Sequence, residues 1–175
     1  MQIYVETPRL ILREMMESDV DGFFELDSDP EVHRFLGNHM VKSKEECTDV
    51  IKYVRQQYVD FGIGRWAVIE KQSGSFMGWS GIKFVTDELN NHKNFYDLGY
   101  RFIRKYWGKG YARESALASF NYASEVLKVD QLFASTHNQN IASQKIITKL
   151  GFEFRNEFMY DGAIHFWYSV DFTEH

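Results

Sequence analysis

The spacing of apolar residues changes along this chain, and the order of the changes limits the folds that the chain can adopt. Up to Gly62 the period is mostly helical, apart from a short strand over residues 10–12. A hairpin around residues 72–75 follows, then strand, helix, strand and helix in turn, and then a second hairpin about Asp161-Gly162. Because a strand–helix–strand connection joins parallel strands, we expect a mixed α/β sheet with helices on both faces.

Capping residues and glycine stops sharpen this prediction. A capping box begins at Ser18, Pro30 suits the first position of a helix after Asp29, and a third capping signature begins at Ser43. Gly62 and Gly151 are expected to end two of the helices by adopting the left-handed conformation. In chain order we predict a strand at 10–12, helices starting near 18, 29 and 43, strands at 66–69, 76–84 and 95–103, a helix over 112–127, a strand at 132–136, a helix at 141–150, and strands at 152–160 and 164–172.

Composition and charge exclude several classes of protein. With 175 residues, 44% of them hydrophobic, and with 15 Phe, 10 Tyr and 4 Trp, the chain can bury one sizeable core, so we expect a single domain over residues 1–175. The net charge of −5 opposes binding to nucleic acid. The single Cys47 cannot form an internal disulfide, and no apolar run reaches about 18 residues. We expect a cytoplasmic monomer or homodimer that acts on neither nucleic acid nor membrane.

The segment from Arg104 to Ala112 lies between a predicted strand and an amphipathic helix. Gly108 and Gly110 let the backbone approach a ligand closely, and the N–H groups that open the helix favour an anion. A phosphate fits this corner, and a plain glycine turn with solvated lysines is the alternative. A P-loop is excluded because the chain has no G-x-x-x-x-G-K sequence, and a dinucleotide fingerprint is excluded because Arg113 stands where its third glycine would be.

A second segment, from Asn138 to Phe152, has the punctuation of an ordinary helix. Asn140 suits the capping position, Ser143 lies about one turn into the helix, and Gly151 ends it. Taken alone, these residues carry no functional signal.

Together the two segments resemble the GNAT acyltransferase superfamily. Trp107-Gly108-Lys109-Gly110-Tyr111-Ala112 resembles its motif A, and Asn140-x-x-Ser143 with Gly151-Phe152 resembles its motif B. Nearly the whole chain is similar to the RimJ/RimL branch, the ribosomal-protein N-acetyltransferase-like enzymes. That similarity is carried by Thr7-Pro8-Arg9-Leu10-x-Leu12-Arg13, Gly78-Trp79-x-Gly81, Leu98-Gly99-Tyr100 and the run from Tyr106 to Glu114.

The resemblance implies a GNAT-type splayed mixed sheet of about six to seven strands, with acetyl-CoA held where two parallel strands diverge. Diverging strands expose N–H and C=O groups, which an extended amide-bearing cofactor can pair with as an added strand does. We predict no metal site. The residues implied to bind the cofactor are Phe102, Ile103, Trp107, Gly108, Lys109, Gly110, Tyr111, Ala112, Asn140 and Ser143.

Two departures from the family pattern bear on the chemistry. Trp107 stands where these enzymes usually carry Gln or Arg, and Ile147 stands where many carry a proton-donating Tyr. A hydrocarbon cannot donate a proton. The resemblance to RimL-like enzymes implies that Ser143 protonates the departing thiolate instead; the alternative is a hydroxyl bonded to its own helix backbone.

The base that takes a proton from the acceptor amine is less defined. Asp97 is our first candidate, ahead of His137 and Glu88, and for each the alternative is a structural or solvated role, with a water chain as the base. At pH 7 an α-amino group costs roughly 1 kcal/mol to deprotonate and a lysine-like amine about 4.6 kcal/mol. An α-amine therefore needs less help from the protein.

The acceptor pocket is expected to be lined by Trp79, Phe84, Tyr100 and His137, although in a chain this rich in aromatic residues the first three also suit a core. The sequence thus predicts an N-acetyltransferase that moves the acetyl group of acetyl-CoA to a primary amine. A protein N-terminal amine is favoured over a polyamine, an amino sugar or an amino acid. The alternatives are a non-catalytic GNAT-like module that senses acyl-CoA and an interaction protein without a coenzyme site.

Overall fold

The computed structural model describes residues 1–173 as one sheet flanked by helices. Short 3₁₀ turns at Glu17–Asp19 and Arg104–Tyr106 precede the first and third helices. The helices are α1 (Val20–Asp27), α2 (Lys44–Phe61), α3 (Tyr111–Glu125) and α4 (Ile141–Leu150). The strands are β1 (Ile3–Glu6), β2 (Leu10–Arg13), β3 (Arg65–Glu70), β4 (Phe76–Val85), β5 (Phe95–Phe102), β6 (Gln131–His137), β7 (Glu153–Tyr160) and β8 (Ala163–Asp171).

Capping and turn residues account for the ends of several elements. The Ser43 hydroxyl accepts the Glu46 N–H and starts α2, while Gly62 ends that helix at φ 71°. Asp161 and Gly162 both have positive φ, 51° and 77°, so they form the two-residue turn that joins β7 to β8. These predicted boundaries are confirmed.

The predicted helix after Asp29 is wrong. Residues 30–38 form a series of turns. The Asp29 carboxylate accepts the N–H of Glu31 at 3.0 Å, as a helix cap does. The backbone bonds that follow are separate turns, such as Arg34 N–H to the Glu31 carbonyl and Leu36 N–H to the His33 carbonyl, and not the continuous ladder of an α-helix. The segment instead buries Val32 and His33 beneath it.

Within the described residues the sheet has eight strands in the order β1-β2-β3-β4-β5-β6-β8-β7. The added strand is β1, a four-residue, partly exposed edge strand whose apolar pattern is too short to stand out. Neighbouring strands are antiparallel except β5 and β6, which are parallel. The mixed sheet expected from the order of elements is confirmed.

The parallel pair β5 and β6 separates soon after it forms. Its paired positions are limited to Asp97 and Phe133, and beyond them residues 98–102 and 134–137 run apart without pairing. We call the space between these two stretches the wedge. The splayed sheet implied by the family resemblance is therefore confirmed.

The helices cover opposite faces of the sheet. On one, the back face, α3 and α4 pack against strand residues such as Ile82 and Leu98 in the largest core cluster. On the other, the front face, α1 and α2 pack against Trp79 in a second cluster. No helix within residues 1–173 is long and apolar enough to span a membrane. Nor does this part of the chain hold a group of three His, Cys, Asp or Glu side chains suited to a metal ion.

Candidate functional site

The start of α3 forms one side of the mouth of the wedge. Gly108 and Gly110 have φ 73° and 82°, conformations that glycine adopts without steric cost. Gly110 is the N-cap of α3, and no side chain caps the helix. Since the first N–H groups of a helix lack intrahelical partners and its dipole is positive there, residues 108–112 present donors suited to an anion.

Two residues near the start of the chain fasten this loop from outside. Glu114, in the first turn of α3, accepts from the Thr7 hydroxyl at 2.7 Å and from Arg9 Nε at 2.8 Å. Arg9 also donates to the carbonyl of Lys109 at 2.9 Å, and its guanidinium lies 4.2 Å from the centre of the Tyr111 ring. Sequence reasoning quoted Thr7, Arg9 and Glu114 as part of the family signature but assigned them no role. The contacts show that the signature holds the glycine loop in place.

Of the two backbone positions predicted on the wedge, the structure brings only Phe102 there. The Phe102 carbonyl accepts the Trp107 indole N–H at 2.8 Å, beside the glycine loop. Ile103 donates its N–H to Met77 of β4, and its carbonyl accepts the Tyr106 N–H. Because N–H and C=O groups alternate between the two edges of a strand, the edge that Phe102 presents to the wedge is shared with Tyr100, not with Ile103. The Ile103 N–H therefore faces β4, and contact of Ile103 with the coenzyme stays a prediction.

The start of α4 forms the other side of the mouth. The Asn140 side chain accepts the Ser143 N–H at 3.2 Å, so it caps the helix as predicted, and Gly151 ends it at φ 107°. Ile147 is 2% exposed and belongs to the main core. Its hydrocarbon side chain therefore serves packing.

Ser143 forms a hydrogen bond with a tyrosine across the wedge. The Ser143 hydroxyl and the Tyr100 phenol are 2.9 Å apart, joining α4 to β5 on the back face. Burial raises the pKa of Tyr100 to about 12, while the Ser143 bond opposes that rise. Tyr100 thus stays protonated at physiological pH. Tyr100 was predicted to line the acceptor pocket; its side chain lies on the back face, where it pairs with Ser143, the candidate proton donor.

Asp97 lies on the front face in a tight ion pair. Its carboxylate is 2.6 Å from the Arg65 guanidinium, which also donates to the carbonyls of Asp97 and Gly81. Burial raises the pKa of Asp97, and the charge of Arg65 acts against that rise. The other candidate base on this part of the chain, Glu88, is exposed in the loop before β5. Arg65 of β3 therefore holds the Asp97 carboxylate of β5 in an ion pair.

A cavity of about 400 Å³ opens on the front face. It reaches both sides of the wedge, because Arg101 of β5 and His137 of β6 both line it. We call it the front cavity; its walls are residues 34–38, Arg101, His137, Tyr160, Asp161, Ala163 and His165. Sequence reasoning missed this set apart from His137, because its members come from four separate segments and share no motif.

Two of the predicted pocket residues lie elsewhere. Trp79 is held between the guanidinium groups of Arg65 and Arg101, each 5.1 Å from a ring centre, and supports the front face from within. Phe84 packs on Phe61 and lines a different cavity of about 240 Å³, between α2 and the end of β4. Neither residue lines the front cavity, and their predicted contact with the acceptor stays a prediction.

Comparison with known proteins agrees with this geometry. Residues 9–153 match the family described as Acetyltransferase (GNAT) domain. The N-acetyltransferase p20 of Bacillus licheniformis, itself uncharacterised, is 27% identical over 147 residues, which are 84% of this chain and 80% of that protein. The FsC-acetyl coenzyme A-N(2)-transacetylase of Aspergillus fumigatus is 28% identical over 152 residues, covering 84% of this chain and 63% of that protein.

Solved structures share the fold. A GNAT-family acetyltransferase from Bacillus anthracis has a TM-score of 0.79 and 22% identity, covering 99% of this chain and all of that one. RimL, described as a ribosomal L7/L12 alpha-N-protein acetyltransferase in complex with coenzyme A, has a TM-score of 0.78 and 17% identity, covering 97% and 98% of the two chains. This chain therefore belongs to the GNAT family of acetyltransferases, whose acetyl donor is acetyl-CoA.

Proposed function

We propose that this enzyme transfers the acetyl group of acetyl-CoA directly to a primary amine, with a protein N-terminal α-amine favoured over a polyamine, an amino sugar or an amino acid. The observation that carries the proposal is the hydrogen-bonded pair of Ser143 and Tyr100 beside a wedge that also opens onto the front cavity. A proton donor for a leaving group on one face and a cavity for an acceptor on the other suit direct transfer.

The coenzyme would be held by the backbone on one side of the wedge. Its diphosphate suits the N–H groups of residues 108–112, with the α3 dipole and the nearby Arg9 adding positive potential. Its amide-bearing arm suits the edge of β5 at Tyr100 and Phe102, which has no strand partner there, although the Phe102 carbonyl already accepts a side-chain hydrogen bond. Trp107 lies at this corner too, since its indole N–H donates a hydrogen bond to the Phe102 carbonyl.

Proton delivery to sulfur is the task of Ser143. As the bond from the amine nitrogen to the acetyl carbon forms, the carbon–sulfur bond breaks and the thiolate takes a proton from the Ser143 hydroxyl. A thiol has a pKa of about 8.5, so a positioned hydroxyl assists without being a strong acid. Tyr100, protonated and 2.9 Å away, can restore that proton to Ser143.

The preference for an α-amine rests on the cost of deprotonation. An α-amino group needs roughly 1 kcal/mol at pH 7 and a lysine-like amine about 4.6 kcal/mol. The carboxylate of Asp97, the candidate base in β5, is engaged by Arg65. A site without a free carboxylate base favours the less basic amine. The name of the RimL structure, an alpha-N-protein acetyltransferase, points to the same class of acceptor.

The test is an acceptor screen with the purified chain. Release of free thiol from acetyl-CoA would be measured against peptides with free N-termini, the same peptides with a blocked N-terminus and one lysine, polyamines, amino sugars and amino acids. We expect the largest kcat/KM for a free N-terminus. Turnover confined to a small amine would overturn the acceptor class. Tight coenzyme binding without thiol release from any amine would overturn transfer to an amine and favour an acyl-CoA-binding module.

A further inference from the structure

We propose that His165, which lines the front cavity, is the base of this reaction and that its Nε2 atom accepts the proton that the acceptor amine loses. The inference rests on the proposed function. As the nitrogen–carbon bond forms and the carbon–sulfur bond breaks, the amine nitrogen gives one proton to His165, and the sulfur takes one from Ser143. His165 carries no family motif, and only the folded chain brings it to the cavity.

A backbone contact fixes the tautomer of His165. Its Nδ1 atom lies 3.2 Å from the carbonyl oxygen of Ala163. A carbonyl can only accept a hydrogen bond, so Nδ1 carries the hydrogen and, in the neutral ring, Nε2 carries the lone pair. Histidine is the side chain suited to exchange a proton near neutral pH. The neutral ring therefore has a proton-accepting atom on the side away from its own backbone.

The neighbouring histidine is fixed in the opposite tautomer. His137 pairs with His165 across β6 and β8, and the two ring centres are 5.4 Å apart at an interplanar angle of 68°. Nδ1 of His137 accepts the N–H of Gln139 at 3.0 Å, so its hydrogen is on Nε2. Burial lowers the pKa of His137, and the nearby His165 lowers it further. His137 stays neutral as a donor, suited to hold a carbonyl of the acceptor, while His165 holds the lone pair.

The carboxylates near the cavity are already paired. Asp161, in the turn before β8, has its carboxylate 2.6 Å from His39 Nε2. Asp27 of α1 accepts from Arg101 at 2.7 Å and from His33 at 3.1 Å. Both carboxylates are thus engaged by cations or imidazoles, and neither is poised to take a proton from an amine.

The charged and titratable groups around His165 come from every neighbouring segment. His137 faces it from β6, the ring of Tyr160 lies 5.3 Å away at the end of β7, and Asp161 follows in the turn. Arg101 of β5 and Arg34 of the segment after α1 line the same cavity.

The first test reads the tautomers without any activity. In ¹⁵N spectra of the labelled protein at high pH, neutral His165 should show an unprotonated Nε2 and His137 an unprotonated Nδ1. The reverse assignment for His165 would overturn the proposal, because Nε2 would then be a donor.

The second test compares pH profiles of kcat/KM for the wild type, His165→Gln, His137→Gln and Glu125→Gln, with the best amine of the acceptor screen. His165→Gln should lower kcat/KM roughly 100-fold and remove the acid limb of the profile, the size expected for loss of a general base. His137→Gln keeps a donor and the acid limb, and Glu125→Gln, at the exposed end of α3 and outside the front cavity, keeps the wild-type profile. Coenzyme affinity within twofold of the wild type shows that each variant is folded.

The outcomes separate the two proposals. Thiol release by the wild type, with an acid limb that persists in His165→Gln, would overturn the role of His165 and leave the acetyltransferase proposal standing. A wild type that binds coenzyme and releases no thiol with any amine would overturn the proposed function, and the role of His165 with it.

Discussion

Two helices begin at the mouth of the wedge, and their first turns are satisfied in different ways. At α4 the side chain of Asn140 accepts the N–H of Ser143, so the helix supplies its own cap. At α3 the N-cap is Gly110, without a side-chain cap, and the loop is held by Arg9 and Glu114 from outside. A helix start without a side-chain cap, an open start, leaves its first N–H groups free to bind an anion. A start capped by a side chain, a closed start, holds the residues of its first turn in position. The first is suited to the diphosphate and the second to the proton donor.

Removing the hydroxyl of Ser143, which lies at the capped start of α4, should have the largest effect on the reaction rate. Ser143→Ala should lower kcat at least tenfold, equivalent to about 1.4 kcal/mol, because the thiolate then leaves without a positioned proton. Coenzyme affinity should be nearly unchanged, as measured by calorimetry. Ser124→Ala, at the far end of α3, is the matched control and should keep the wild-type rate. An unchanged kcat in Ser143→Ala would remove Ser143 from the mechanism.

A substitution in the glycine loop at the open start of α3 should weaken coenzyme binding. Gly108→Ala places a side chain at φ 73°, a left-handed conformation that costs an ordinary residue about 1–2 kcal/mol. The added methyl group meets no neighbouring atom within 4 Å, so the effect is confined to the backbone. We expect about tenfold weaker coenzyme binding by calorimetry.

Gly74→Ala is a close match for this comparison. Gly74, in the turn between β3 and β4, has φ 74° and equally open surroundings, but it lies outside the wedge. It should lose similar stability and keep its coenzyme affinity. Equal loss of affinity in the two variants would show that the glycine loop has no particular part in binding.

Much of this difference between the two helices is visible in the sequence. Asn140, Gly151 and the glycines of the α3 loop are local signals, and local signals depend only on residues within a turn of each other. The change in period from helical to alternating likewise marks strands before their partners are known. For this reason nearly every strand and helix is predicted near its observed bounds.

The positions of side chains relative to the wedge depend on contacts between distant segments. Asp97 and Tyr100 are three residues apart in β5, so they point to opposite faces, and only the packing of α4 decides which face holds the proton donor. The ion pair of Asp97 with Arg65 joins residues 32 positions apart. His165 lies in a hairpin without a motif. These features follow from tertiary structure, and sequence patterns do not contain them.

The cap of α4 can be removed by itself. Asn140→Ala should lower the free energy of unfolding by about 1 kcal/mol, because the Ser143 N–H loses its partner. Urea denaturation measures the change. Ser43→Ala removes the corresponding cap of α2, far from the wedge, and should cost a similar amount with no change in coenzyme affinity. A loss of coenzyme affinity in Asn140→Ala alone would support contact of this side chain with the coenzyme arm, whereas equal affinities would confine Asn140 to capping.

The contacts of Glu114 with Thr7 and Arg9 should contribute least to the free energy of unfolding, and their contribution should depend on pH. Burial acts to raise the pKa of Glu114, but hydrogen bonds from Thr7 and Arg9 outweigh it, and the pKa lies below the ordinary 4.5. A carboxylate with a depressed pKa stabilises the folded state at higher pH, and this contribution is lost as the pH falls through its folded pKa.

Glu114→Gln should therefore lower stability by about 0.5 kcal/mol at pH 7, since Arg9 is partly exposed and Gln keeps one acceptor. The gap from the wild type should close as the pH falls below about 4.5. Glu125→Gln, at the exposed end of α3, should show no such gap, and a gap that persists in acid would mean that packing, not charge, holds the open helix start in place.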